Sequence, residues 1–280
     1  MSLNKFFLTE IIEAAYKEDF GYSGDLTTDN LIARNHLSRA KITAKQAGVV
    51  AGLDVAAEVF HKLDSDIKFI TLLKDGSKIK KGDVLAELEG SALNILKGER
   101  IALNFLQRLS GIASRSRKFV DLIKEYEVDI VDTRKTTPGL RMLEKYAVKV
   151  GGAKNHRSGL YDAVMIKDNH IKVVGSIKKA VSQLKNSIPH TVKIEVETED
   201  LAQVEAALEA GVEIVMLDNM ELPVLKKAVG LIADKAVIEA SGGIDEKNIK
   251  EIAAAGVDII SLGTLTHQIR SLDIALDLQI

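Results

Sequence analysis

The chain has 280 residues, 46% of them hydrophobic and 28% charged, with a formal net charge of -2. That is the composition of an ordinary globular protein of one large or two smaller domains, and its near-neutral balance argues against a general nucleic-acid or anionic-membrane binder. There is no cysteine, which excludes disulfides, thiolate catalysis and thiolate metal sites. The start, MSLNKFFLTEIIEAAYKEDFG, is too acidic and too short in apolar run for a signal peptide. No stretch approaches the roughly 20 apolar residues of a membrane span, so a cytoplasmic protein is expected.

Ser38–Ala51 and Ile67–Glu89 alternate in hydrophobicity and carry turn signals at Asp75-Gly76 and Lys81-Gly82-Asp83, which predicts a small β-rich module. Within it, LLKDGSKIKKGDVLAELEG resembles the lipoyl-type barrel-sandwich pattern, but no lysine is presented at the hairpin tip, so a swinging-arm carrier is not expected. A long helix follows, from about Ser91 to Tyr126, with Ala92, Ile95, Leu96, Leu103, Leu106 and Leu109 near one face. Ser110-Gly111 sets the expected domain boundary, giving 1–110 and 111–280.

Beyond Val128 short β-branched runs alternate with amphipathic ones. Strands are predicted at Val128–Thr133, Ala163–Lys167, Val192–Glu197, Glu213–Leu217, Ala236–Ala240 and Val257–Leu262. Helices are predicted at Leu140–Lys149, Ser176–Lys185, Leu201–Ala210, Glu221–Ile232 and Lys247–Ala255, and the chain is expected to finish in a helical tail. Six βα units in series indicate a parallel sheet and suggest a barrel rather than an open sheet.

In such a barrel ligands bind at the carboxyl ends of the strands. Here those ends read Asp132-Thr133-Arg134-Lys135, Lys167-Asp168-Asn169-His170, Glu195-Val196-Glu197, Asp218-Asn219, Ser241-Gly242-Gly243 and Gly263-Thr264. Arg134, Lys135, Lys167 and the pair His156-Arg157 form a cation set suited to carboxylate and phosphate. Ser241, Gly242, Gly243 and Gly263 are phosphate-binding candidates, because glycine lets backbone N–H groups approach an anion closely. Glu197 and Asp218 are expected to hold Mg²⁺ or accept hydrogen bonds from sugar hydroxyls, or else to balance Lys135 and Lys167. Side-chain alternation is taken to place only one of Glu195 and Glu197 at the ligand end. His170 reads equally as a further member of this cation set or as a packed or capping residue. No histidine pair has zinc-ligand spacing, and no GxSxG, P-loop or GxGxxG motif occurs.

The segments EDFGYSGDLTT, ERIALNFLQRLSGIAS, DTRKTTPGLR, EKYAVKVGGAKNHRSGLYDAVMIKDNHI, IEVE, MLDN, EASGGI and SLGTLTH resemble the quinolinate phosphoribosyltransferases, in order, from about Glu18 to His267. The resemblance implies transfer of phosphoribose from phosphoribosyl pyrophosphate to quinolinate, giving nicotinate mononucleotide, pyrophosphate and CO₂ in NAD synthesis. It implies an N-terminal α/β sandwich domain, an incomplete (β/α) barrel, Mg²⁺, and a homodimer or assembly of dimers. Arg100 would enter the partner's site. Arg134, Lys135, His156, Arg157 and Lys167 would bind quinolinate and pyrophosphate. Glu197 and Asp218 would lie near ribose and metal, with Ser241, Gly242, Gly243 and Gly263 at the 5′-phosphate. Lys135, Lys167, Glu197 and Asp218 would act in catalysis. The alternatives are another pyridine or azole acceptor on the same fold, or a non-catalytic anion-binding barrel. Departures from the family pattern are small: Ala153 where a third glycine is common, and Ser158 after the arginine.

Overall fold

A computed structural model describes residues 3–279. The chain begins with helices α1 (Lys5–Phe20) and α2 (Thr28–Leu31), then strands β1 (Leu37–Ala44) and β2 (Gly48–Val49) and helix α3 (Leu53–Leu63). Strands β3 (Lys68–Thr71), β4 (Lys78–Ile79) and β5 (Val84–Ser91) lead into the long helix α4 (Ala92–Leu122). An alternating series follows: β6 (Asp129–Val131), α5 (Arg141–Val150), β7 (Val164–Ile166), α6 (Asp168–Val174), α7 (Ile177–Lys185), β8 (Ile194–Thr198) and α8 (Leu201–Ala210). It continues with β9 (Ile214–Asp218), α9 (Leu222–Ile232), β10 (Val237–Ser241), α10 (Ile249–Ala253), β11 (Ile259–Ser261), α11 (Thr264–His267) and β12 (Ile274–Gln279).

Two compact units result. One comprises Met1–Arg117, Thr136–Gly152 and Leu265–Ile280; the other Lys118–Lys135 and Ala153–Thr264. The expected boundary at Ser110-Gly111 thus falls inside α4, which runs on unbroken to Leu122. Gly111 is a packing requirement rather than a break: a Cβ there would lie 2.3 Å from the carbonyl oxygen of Arg270.

The first unit is built on an antiparallel sheet in the order β12-β1-β5-β3. Ala40, Ile42 and Ala44 of β1 point inward and are buried, while Arg39 and Lys41 point outward and pair with Glu89 and Glu87 across the β5 ladder. This is the period of two expected of a half-buried strand. α3 contributes Val55, Val59 and Phe60 to the core. The expected helical tail is instead β12, whose Ile274 and Leu276 are buried and alternate with Ala275 and Asp277 as it pairs with β1. Alternation over six residues fits a strand, and β1 offers it an edge.

The second unit holds a six-stranded parallel sheet in the order β6-β11-β10-β9-β8-β7. All six predicted strands are present and succeed one another round the sheet, with β6 and β7 left as its edges. The bridge between Val131 and Lys154 partly fills that gap. Curvature is evident from the acids on its inner face. Glu195 of β8 and Glu239 of β10 are separated by β9, which in a flat sheet would hold them about 9–10 Å apart. Both reach the same imidazole nitrogen of His156, at 3.2 and 3.5 Å. The sheet is therefore an incomplete barrel, and its strands end on a shared concave floor.

Within the first unit, Arg108 donates from Nε and Nη2 to the fully buried carboxylate of Glu144, at 2.9 and 2.6 Å. Arg108→Ala should destabilise the protein by about 3–5 kcal/mol, because it strands a buried charge. Urea unfolding checks this; a loss under about 1 kcal/mol would mean that Glu144 finds another partner or water.

Candidate active site

At the carboxyl ends of the barrel strands lies a cavity of about 540 Å³. Arg134, Lys135, His156, Arg157, Lys167, Glu197, Asp218, Ser241, Gly242 and Gly243 all line it, so ten of the residues singled out in the sequence converge. Gly263 is not part of the lining, where Ser261, two residues earlier, stands instead. Arg100 lies on α4 in the first unit with an exposed side chain. His170 is a cap: its Nδ1 accepts the amide N–H of Lys167 at 2.9 Å, at the start of α6.

Lys167 and Arg157 are anchored from behind. The Lys167 ammonium is ion-paired with the Glu197 carboxylate. Arg157 donates to the Ala163 carbonyl at 3.2 Å and touches Met165 sulfur at 3.6 Å. Its guanidinium is pulled below the usual arginine range by burial first and then by the nearby charge of Arg134, with Glu195 and Asp162 opposing. The loop bearing His156 and Arg157 is tied down by Asp132, which is fully buried. Asp132 accepts from the amide N–H of His156 at 2.9 Å and from the Asn155 side chain at 2.7 Å.

Beneath His156 sit two buried acids. Glu195 is 3% exposed and Glu239 2%, and one ligand-capable atom from each of His156, Glu195 and Glu239 lies within 4.8 Å of the others. As expected, only one of Glu195 and Glu197 reaches the ligand end, but the reason is depth rather than opposite facing. Residues two apart on a strand share a face, so both point inward and differ in depth: Glu197 lines the cavity, while Glu195 lies one pleat below. Burial alone would drive the His156 ring neutral, but its hydrogen bonds to the two acids, and their charges, outweigh that and push it up to about 10. Glu195 is also raised, by its own burial first, then by the charge of Glu239 against the opposing His156. His156 and Glu195 share one hydrogen-bonded cluster, so their shifts belong to the group rather than to one residue. The Arg157 amide N–H points at His156 Nδ1 at 2.7 Å.

The glycine-rich loop is shaped by close approach. Gly242 and Gly243 both take positive φ, 84° and 60°. A Cβ on Gly242 would sit 2.3 Å from Oδ1 of Asn219. Asn219 itself has φ 53°, donates through Nδ2 to Asp218 at 2.8 Å, and is bonded through its backbone N–H to the Ser241 carbonyl at 2.9 Å. One residue thus joins the acid ending β9 to the loop ending β10, and a strained backbone at a site is itself a functional signal.

Two domain models describing quinolinate phosphoribosyl transferase match the chain, the N-terminal over residues 25–110 and the C-terminal over residues 112–277. The chain belongs to this family. A probable nicotinate-nucleotide pyrophosphorylase (carboxylating) of Bacillus subtilis is 44% identical, covering 98% of this chain and 94% of its own. A protein of the same description from Synechocystis is 48% identical over 87% of this chain and 83% of its own. The crystal structure of NadC from Streptococcus pyogenes superposes with a TM-score of 0.95 at 43% identity, over 100% of this chain and 99% of that one. For a quinolinate phosphoribosyltransferase, the cavity adds Met165, Met216 and Ser261, together with Thr133 and Asn219, which the strand ends included without a role, and Glu239 lies under it. For Met165, Met216 and Glu239 the signal was parity, since each lies two positions before a recognised site residue, Lys167, Asp218 and Ser241.

Gly242→Ala should weaken binding of ribose 5-phosphate at least about tenfold, since a left-handed Cβ residue costs about 1–2 kcal/mol before the clash with Asn219 is counted. Calorimetric titration checks this; undiminished affinity would remove the loop from the phosphate site.

Proposed function

We propose that this cavity transfers the phosphoribosyl group of phosphoribosyl pyrophosphate to quinolinate, with loss of CO₂, to give nicotinate mononucleotide and pyrophosphate. The supporting observation is a single cavity, in a chain of this family, that combines four cationic side chains, two carboxylates and a glycine-rich loop. Quinolinate brings two carboxylates and the donor brings a phosphate and a pyrophosphate, a load matched by Arg134, Arg157, Lys135 and Lys167. Arg134 and Arg157 suit the planar carboxylates, and the lysines suit pyrophosphate oxygens.

The chemistry requires positioning and charge. As the pyrophosphate departs, positive charge develops on the ribose ring carbon, and Glu197 and Asp218 at neighbouring strand ends stabilise it. Lys135 and Lys167 hold the departing oxygens. The quinolinate nitrogen, oriented by its carboxylates, then attacks the ring carbon. The alkylated ring draws electrons, so the carboxylate beside the nitrogen leaves as CO₂ and a proton takes its place. No enzyme nucleophile takes part.

Glu197 and Asp218 offer the hard oxygen donors Mg²⁺ prefers, and Asp218 is bound by the neutral amide of Asn219, which leaves its charge for a cation. When bound, Mg²⁺ supplies charge to the phosphates of the donor. The working form is proposed to be a cytoplasmic homodimer, or an assembly of dimers, in which the exposed Arg100 of one subunit completes the site of the other. No described helix is long and apolar enough to cross a membrane.

The protein incubated with quinolinate, phosphoribosyl pyrophosphate and Mg²⁺ should yield nicotinate mononucleotide and CO₂ in equal amounts, and chelation should stop both. Product with nicotinate but none with quinolinate would overturn the acceptor assignment. Arg134→Ala should raise KM for quinolinate roughly tenfold to a hundredfold, the loss of a charge-assisted hydrogen bond of about 1.5–3 kcal/mol. An unchanged KM would exclude Arg134 from the acceptor site. Mixed dimers of Arg100→Ala and Lys135→Ala subunits, each inactive alone, should recover part of the activity; verified heterodimers without activity would rule out sharing.

A further inference from the structure

Glu195 and Glu239 carry no role in the chemistry above, yet they place two acids in the floor of an anion site. Both are almost wholly buried. Each turns Oε2 to His156 Nε2, and each keeps a buried Oε1 that makes no hydrogen bond. Burying carboxyls with incomplete partners is costly, and substitution by apolar residues often improves stability. Electrostatics also counts against them here, because negative charge below a carboxylate-binding cavity weakens its ligand. A pair costly on both counts needs another reason to be there.

The geometry supplies one. His156 is only 12% exposed, and both of its ring nitrogens are engaged by the protein. Nε2 faces the two acids, and Nδ1 receives the Arg157 amide N–H at 2.7 Å. The ring is thus a strut between the barrel floor and the backbone of Arg157. The acids come from strands β8 and β10, on either side of β9, so a ring held by both is fixed laterally as well as in depth. From its fixed backbone the Arg157 guanidinium turns into the cavity, steadied by Ala163 and Met165.

We propose that Glu195 and Glu239 are positioning residues that act through His156 to hold Arg157 in place for the acceptor's carboxylate. This rests on the reading of the cavity as a site for an aromatic dicarboxylate. The role asks for an acceptor oxygen at each position rather than for a charge, since each acid meets the ring as a hydrogen-bond acceptor.

The two accounts of the acids predict opposite signs. If they are only background charge, any neutral replacement tightens quinolinate binding. If they position the ring, glutamine, which keeps an acceptor oxygen, is tolerated and an apolar residue is not. Quinolinate and phosphoribosyl pyrophosphate are titrated separately by calorimetry into wild type, Glu239→Gln, Glu239→Leu and Glu195→Met. Glu239→Leu and Glu195→Met should weaken quinolinate at least about tenfold, with Glu239→Gln within about threefold of wild type and the donor's affinity unchanged within about twofold. Quinolinate bound as well or better by the apolar variants, or equal loss in Glu239→Gln, would overturn the proposal. Zn²⁺ retained stoichiometrically by dialysed wild type and lost in Glu239→Gln would also refute it, by making the cluster a metal site. Wild type that binds the donor but not quinolinate would instead fail the functional reading, and the proposal with it.

Discussion

Like charges have to be held side by side before any ligand arrives. Arg134, Lys135, Arg157 and Lys167 line one cavity, and the repulsion among them would splay it open unless something opposes it. The opposition is local, since the whole chain carries a formal charge of only -2. Glu197 takes Lys167, and Glu195 contributes attraction to Arg157 against the repulsion from Arg134. Asp132 fixes the loop by accepting two hydrogen bonds. Every anchoring acid sits on a strand or at its end, where the backbone is rigid, and this is how such a site is kept ready at no cost in reorganisation.

That arrangement depends on the curvature of the sheet. In a flat sheet side chains two strands apart stay separate; on the concave face they meet. His156 is reached by acids on either side of β9, and Asn219 at the end of β9 reaches both its own neighbour and the loop after β10. Depth along a strand then sorts the roles. The outermost inward residues, Lys167, Glu197, Asp218 and Ser241, line the cavity. One pleat below, Glu195 and Glu239 are closed off from solvent and support the outer tier. On β8 and β10 the same backbone periodicity puts one side chain at the cavity and the next inward one beneath it, whereas Met165 and Met216 at that depth on β7 and β9 reach the cavity themselves.

This explains what could be read from the amino acids and what could not. The six barrel strands were legible because each is a short β-branched run followed at once by polar or glycine residues, and that change of character marks a strand end. α6 was missed because DNHIKVV, seven residues after a strand, has too few turns to show a period. β12 was missed because its last turns of sequence carry no glycine or proline punctuation, and only the free edge of β1 makes it a strand. Glu239 was passed over as an isolated acid within Val237–Ser241, when an acid flanked by apolar residues on a strand is the signal of a buried polar contact. Glu195 was noticed but assigned to the wrong face. Counting parity back from Ser241 and Glu197 would have placed both acids on the inner face.

Chain connectivity carries a further constraint that no motif announces. The DTRKTTPGLR segment is divided between the compact units: it leaves the barrel after Lys135, contributes Thr136–Gly152 to the first unit, and re-enters at Ala153. On that excursion Glu144 is buried against Arg108, and Tyr146 donates to Asp75 at 2.7 Å. Both ends of the excursion carry site residues, Arg134 and Lys135 before it, His156 and Arg157 after it. Each pair is nevertheless placed from within the barrel unit: Arg134 and Lys135 follow the end of β6, while Asp132, just after that strand, accepts from the His156 amide N–H at 2.9 Å and holds the second pair.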